Sequence, residues 1–161
     1  RMEGILVPYI HGGGKIGVMV RAESPAGAIP EILAAAKDCA LQVAAMNPPY
    51  LKREDVPAAV LDEEKKIILA QMAEDPKMAN KPEQVKEKIA AGKVGKYYGE
   101  NCLLEQAFVK ENKETVQSYV DGVAKAAGTT IAITAFVRFE RGEGIEKKAD
   151  NFAEEIASMI K

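Results

Sequence analysis

Two apolar runs rich in β-branched residues, Ile5 to Ile10 and Ile16 to Val20, flank a short stretch that constrains the whole chain. It reads Tyr9-Ile10-His11-Gly12-Gly13-Gly14-Lys15-Ile16-Gly17-Val18 and holds the only histidine and the densest glycine cluster. β-branched side chains suit a half-buried pleated surface. Glycine takes positive φ without steric cost, so the corner can be sharp and its backbone bare. The pattern predicts a β-hairpin.

Three chemical readings compete with a plain turn. Gly12-x-Gly14-x-x-Gly17 has dinucleotide-fingerprint spacing, but that motif needs a helix opening after it to receive the pyrophosphate. Here Val18-Met19-Val20-Arg21 and then Ser24-Pro25 give a short strand and a stop. Gly14-Lys15 suggests a phosphate loop, yet Ile16 stands where Ser or Thr should bind magnesium. His11-Gly12-Gly13-Gly14 has the composition of an esterase oxyanion-hole segment, which also needs a G-x-S-x-G elbow and a separate base. None of Ser24, Ser118 and Ser158 sits in such an elbow, and there is no second histidine. The hairpin turn is the better reading, and a bare turn with one imidazole suits a protein-docking tip.

At 161 residues and 47% hydrophobic content the chain can bury one real core, with room for an insertion. A net charge of −2 gives no global basic field toward nucleic acid or membrane. No apolar run is long enough to span a bilayer, and no signal peptide opens the chain. The start, Arg1-Met2-Glu3, suggests a fragment. Cys39 and Cys102 lie among apolar neighbours without a C-x-x-C. They read as buried reduced thiols of a cytoplasmic protein, with no disulfide and no metal site.

Gly27 to Met46 reads as a helix, with Ile29, Ile32, Leu33, Ala36, Ala40, Val43 and Ala44 on one stripe. Asn47-Pro48-Pro49 ends it. From Pro57 the character changes. A heavily charged helix carries Ile67, Ile68 and Met72 on a thin seam, Asp75-Pro76 to Lys81-Pro82 breaks it, and a second helix carries Val85, Ile89 and Val94. This αα-hairpin has too few apolar residues for a core of its own. It either packs on a partner or a second copy, or serves as a solvated spacer. Gly92-Lys93-Val94-Gly95-Lys96-Tyr97-Tyr98-Gly99 could bind phosphate or stack bases, but two lysines are too few. The tyrosines read as packing at the hairpin's root.

Leu103 to Val109 should return the chain to the core. Asn112 can cap the next helix, whose stripe is Val116, Tyr119, Val120, Val123, Ala124 and Ala127, with Gly128 as its stop. The run from Ile131 to Glu140 alternates like a strand. Ile131, Ile133, Ala135, Val137 and Phe139 face one way, and Thr134, Phe136, Arg138 and Glu140 the other. A final helix carries Ala149, Phe152, Ala153, Ile156, Met159 and Ile160 on one face, either covering the sheet or docking on a partner.

The derived fold is α+β: a small three-stranded antiparallel sheet, near 5–10, 16–22 and 131–140, covered by helices, with an inserted antiparallel helical hairpin. The core comprises 1–56 and 99–144, the inserted helical-hairpin subdomain 57–98, and a C-terminal helical module 145–161. No catalytic constellation and no cofactor or metal site stands out. The materials of acid–base catalysis at neutral pH are nearly absent, so the chain reads as an interaction module rather than an enzyme.

Taken together, several segments resemble bacterial elongation factor Ts, the nucleotide-exchange factor of elongation factor Tu, over essentially the whole length. They are Tyr9 to Val18, Gln42-Val43-Ala44-Ala45-Met46-Asn47-Pro48, Arg53-Glu54-Asp55-Val56-Pro57, Cys102-Leu103-Leu104-Glu105-Gln106, and Phe136 to Lys147. The resemblance implies the second half of that family's core, with the arm as its coiled-coil subdomain. Dimerisation would then run through Ile67, Ile68, Met72, Val85 and Ile89. It implies that His11, Gly12, Gly13, Gly14 and Lys15 grip domain 3 of elongation factor Tu. Phe152, Ile156 and Met159 would touch its GTPase domain. The family also carries a Thr-Asp-Phe-Val segment that dislodges the nucleotide's magnesium; it is absent here, and Asp150-Asn151-Phe152-Ala153 is not it. Two other classes stand beside this one: a dimerisation or scaffold module without a GTPase partner, and a small-molecule enzyme built on the Gly12–Gly17 turn.

Overall fold

The computed structural model describes residues 4–145. Its elements run β1 (Ile5–His11), β2 (Ile16–Glu23), α1 (Pro30–Met46), α2 (Ala58–Glu74), α3 (Pro76–Ala79), α4 (Glu83–Asn101), β3 (Ala107–Phe108), β4 (Glu111–Thr115), α5 (Val116–Ala126) and β5 (Ala132–Glu140). The fold is α+β, with a three-stranded antiparallel sheet in the order β1-β2-β5 and a separate two-stranded piece from β3 and β4. The final apolar helix expected over 149–160 lies outside the described residues.

The hairpin forms where the glycines predict it, with Ile5 opposite Ala22 and His11 opposite Ile16. Residues directly opposite each other in a sheet share a face. Val7, Val18, Val20, Ala22 and Ile133 therefore share one face, and all are buried. α1 lies across that face, with Ile32, Ala35, Ala36, Cys39, Ala40 and Val43 buried. Alanine at so many of these positions lets the helix approach closely, and full burial of a side chain such as Ile32 contributes about 2 kcal/mol. α5 completes the layer through Val116, Val120 and Ala124.

Helix ends follow local chemistry. Pro30 opens α1 at a position where its missing N–H costs nothing. Asn47, at φ 46°, closes it with its N–H on the Val43 carbonyl at 2.9 Å. Leu33, expected on the buried stripe, is 39% exposed. Asn112 does not cap α5, because Glu111–Thr115 pairs as a strand with Ala107–Phe108. Thr115 takes that role, its Oγ1 accepting from the Ser118 N–H at 3.2 Å. Gly128, at φ 64°, stops the helix, and the Thr129 N–H reaches back to the Ala124 carbonyl at 3.0 Å.

β5 departs from simple alternation. Arg21 pairs with Ala135 but Ala22 pairs with Ile133, so Thr134 is an extra residue in β5. Such a bulge switches side-chain parity beyond it. Ile131 and Ile133 face the core as expected, but Phe136 packs on the core in place of Val137, and Phe139 is 68% exposed.

The arm has a small core of its own, contrary to expectation. Ile68, Met72 and Ala90 are buried between α2 and α4, with Leu69, Ile89 and Val94 packed around them. Its root is tied to the core by backbone bonds: Tyr50 N–H to the Asn101 carbonyl at 3.2 Å and Leu103 N–H to the Tyr50 carbonyl at 2.9 Å. Arg53 makes a forked contact with Glu105 at 2.7 and 2.6 Å, and its guanidinium lies 5.0 Å from the Tyr98 ring centroid. The tyrosines thus pack at the root as expected.

Two buried glutamines join α1 to the chain returning from the arm. Gln42 Nε2 donates to Gln106 Oε1 and to the Ala107 carbonyl, both at 3.1 Å, and Gln42 Oε1 accepts from the Val109 N–H at 2.9 Å. Gln106 Nε2 donates to the Glu100 carbonyl at 2.9 Å. Leucine at position 42 fills similar volume but deprives these groups of partners, at about 1–3 kcal/mol for each buried polar group left bare. Gln42→Leu should therefore lower stability in urea unfolding by about 3 kcal/mol, and adding Gln106→Leu should restore part of the loss.

Both cysteines are free and buried. Burial, helped by the charge of Asp38, pushes the Cys39 thiol up to about 12, and burial with Glu105 pushes Cys102 up to about 11. The unfolded thiols ionise near their ordinary value while the folded ones keep their protons. Their contribution to stability is therefore complete below that value and is lost as pH climbs toward the folded values. In the folded protein neither thiol should react with a thiol-specific reagent in mildly alkaline buffer, both should react in denaturant, and an alkaline titration followed by circular dichroism should show stability falling.

Candidate partner-binding surface

The tip of the β1–β2 hairpin is a left-handed glycine corner. Gly12, Gly13 and Gly14 have φ of 59°, 64° and 89°, and the Lys15 N–H returns to the Gly12 carbonyl at 3.4 Å. Three successive positive φ values are open to glycine and costly for nearly every other residue. His11, the three glycines and Lys15 are all exposed. Tyr9 and His11 share a face two residues apart, and the Tyr9 hydroxyl lies 3.0 Å from His11 Nδ1. Which of the two groups donates depends on the imidazole tautomer, and in either case the contact orients the ring and leaves Nε2 for a partner.

A second turn stands beside the first. β5 ends at Glu140, opposite Ile16, and the Arg141 N–H donates to the Lys15 carbonyl at 2.8 Å. Gly142 and Gly144, at φ 91° and 76°, fold the chain back, with the Glu143 N–H on the Glu140 carbonyl at 3.0 Å. The tip is thus a pair of adjoining exposed turns. In the sequence, Arg141 to Gly144 stand out only as part of the Phe136 to Lys147 segment that carries the family resemblance. The sign that they belong to the tip is the antiparallel register, which sets Glu140 beside Ile16.

The remaining candidates are dispersed. Phe152, Ile156 and Met159 lie outside the described residues. Ile68 and Met72 are consumed by the arm's own seam, which Ile89 also joins, whereas Ile67 and Val85 are 45% and 38% exposed. The cleft beside the arm's root is lined by Arg53, whose guanidinium is already paired with Glu105. Among the described residues no group of three His, Cys, Asp or Glu could hold a metal ion, and no helix is long and apolar enough to cross a membrane.

The tip's shape rests on the glycines rather than on packing, since a Cβ at Gly13 meets nothing within 4 Å. Gly13→Ala should lower stability by about 1–2 kcal/mol through backbone strain alone, and Gly13→Asn should cost less, because asparagine visits the left-handed region. Thermal unfolding of the two variants checks the order.

The sequence matches the family described as Elongation factor TS over residues 1–143. It is 47% identical over 159 residues to Elongation factor Ts of Clostridium kluyveri, a match covering 98% of this chain and 50% of that protein. It is 43% identical over 159 residues to Elongation factor Ts of Syntrophotalea carbinolica, covering 99% and 51%. The corresponding protein of Clostridium botulinum (strain ATCC 19397 / Type A) is 46% identical over 160 residues, covering 98% and 50%. The chain spans about half the length of the curated relatives it matches. With a match over most of its residues, this chain belongs to the elongation factor Ts family.

Proposed function

We propose that this chain docks on elongation factor Tu in the cytoplasm and contributes to GDP release by protein–protein contact. Its role is that of an exchange factor acting through binding, without covalent catalysis. The observation that carries this reading is family membership joined to an exposed double turn at one end of the sheet. In that turn His11 supplies one polar group on a bare backbone, and Lys15 supplies a charge.

Exchange by binding is a matter of linkage. A factor that prefers the nucleotide-free form of its partner weakens GDP binding by the same factor. A surface gripping both forms equally shifts nothing, however tightly it holds. The Thr-Asp-Phe-Val segment that the family resemblance ties to magnesium release does not occur in the 161 residues. The double turn is an anchor in this reading. It supplies grip with little preference between the two states of the partner.

The test is release of a fluorescent GDP analogue from elongation factor Tu, with and without this chain, beside a direct binding titration. Binding with little faster release is the expected result. His11→Ala should weaken binding about tenfold, the size of one good interfacial contact. Strong acceleration of release would overturn the anchoring role, and absence of binding would overturn the docking itself.

A further inference from the structure

The helix-side face of the sheet ends at the tip in two cross-strand rows. Tyr9, Val18 and Arg138 form the inner row, and His11, Ile16 and Glu140 the outer one. Each outer strand carries an anchored residue and, one pleat further on, an exposed polar one. In β1 the half-buried Tyr9 packs on the core, and its hydroxyl reaches Nδ1 of the exposed His11 at 3.0 Å. In β5 the Arg138 side chain is 14% exposed, and its Nη2 donates to the more exposed Glu140 carboxylate at 2.8 Å.

We infer that Tyr9 is the positioning residue of the tip, holding the His11 imidazole in the orientation that docking uses. This role rests on the docking reading above and deepens it: the grip gains a residue that need not touch the partner. Among the described residues the Tyr9 hydroxyl is the only hydrogen-bond partner of the imidazole; Glu140, across β2, is held by Arg138 instead. The two rings also meet, with centroids 5.9 Å apart at 36°, within the range of aromatic contact.

The hydroxyl itself sits on a fixed body. Tyr9 lies opposite Val18, which is buried, and Pro8 before it restricts the backbone of β1. His11 has no comparable support on its other side, because Gly12, Gly13 and Gly14 carry no side chains to brace it. An exposed imidazole without a brace loses its rotamer freedom only when a partner closes on it, and that loss weakens binding. Tyr9 imposes the order beforehand, in the free chain.

Tyr9→Phe deletes the hydroxyl and keeps the ring on the core. In the binding titration with elongation factor Tu it should weaken docking about fivefold, the size of one immobilised side chain. In the His11→Ala background the same substitution should cost nothing further, since its effect passes through the imidazole. The free chain supplies a second readout. His11 is the only histidine, so its ring nitrogen-15 signals are unambiguous, and Tyr9→Phe should shift them. Circular dichroism should show the fold retained. Equal loss in both backgrounds, no loss in either, or unchanged ring signals would overturn the inference and leave the docking reading standing. Failure of His11→Ala to weaken binding, or absence of binding by the unaltered chain, would overturn the docking reading and the inference with it.

Discussion

The fold depends on a polar contact inside an apolar core. Gln42 sits midway along α1, the helix that covers the sheet, and its amide holds Gln106, Ala107 and Val109 on the strand returning from the arm. Without it, the excursion from α2 to α4 would rejoin the core through the backbone bonds of Tyr50 and Leu103 and apolar contacts such as Leu103, with no buried polar side chain fixing the returning segment against α1. An amide bonded at both ends fixes both position and orientation, because every alternative leaves a buried donor or acceptor bare. The forked Arg53–Glu105 pair guards the same junction from the solvent side. It adds less, since exposed ion pairs are worth little singly, but it stacks on Tyr98 and so joins α4 to the connector before α2. An arm with a small core of its own is thus held in one direction by its root.

The bulge at Thr134 is the second constraint, and it decides what the sheet presents outward. Before it, β5 sends Ile131 and Ile133 into the core; after it, Phe136 takes the core side and Val137 and Phe139 turn away. One inserted residue therefore converts two apolar side chains from filling into surface. Among the described residues the helices lie on one face of the sheet, and the other face carries apolar side chains such as Ile10 and Phe139 that stay exposed.

Features governed by neighbours in sequence were legible in advance. The glycine corner needs positive φ at three successive residues, and only one residue type supplies it freely, so the β1–β2 hairpin could be read with its ends. The stripe of α1 was visible from spacing, although Gln42 lay within the buried arc and was passed over as polar. What failed depends on partners distant in sequence. Asn112 looked like a cap until β3 claimed its segment for pairing, leaving Thr115 to cap α5. The Thr134 bulge has no signature in β5 alone, because it exists only in the register against Arg21 and Ala22. Of the proposed tip, the first turn was legible from its glycines. The second, Arg141 to Gly144, became part of it only once β5 was known to lie beside β2.

The proposed docking tip and the apolar face of the sheet meet at one end of the sheet. Ile10 precedes His11 in β1, and Phe139 precedes Glu140, whose neighbour Arg141 bonds the Lys15 carbonyl. A body seated on the apolar face lies within a residue or two of one seated on the tip. Two binding events so placed are energetically coupled. If the two bodies crowd each other, each weakens the other by the same factor, and if they touch favourably, each strengthens the other.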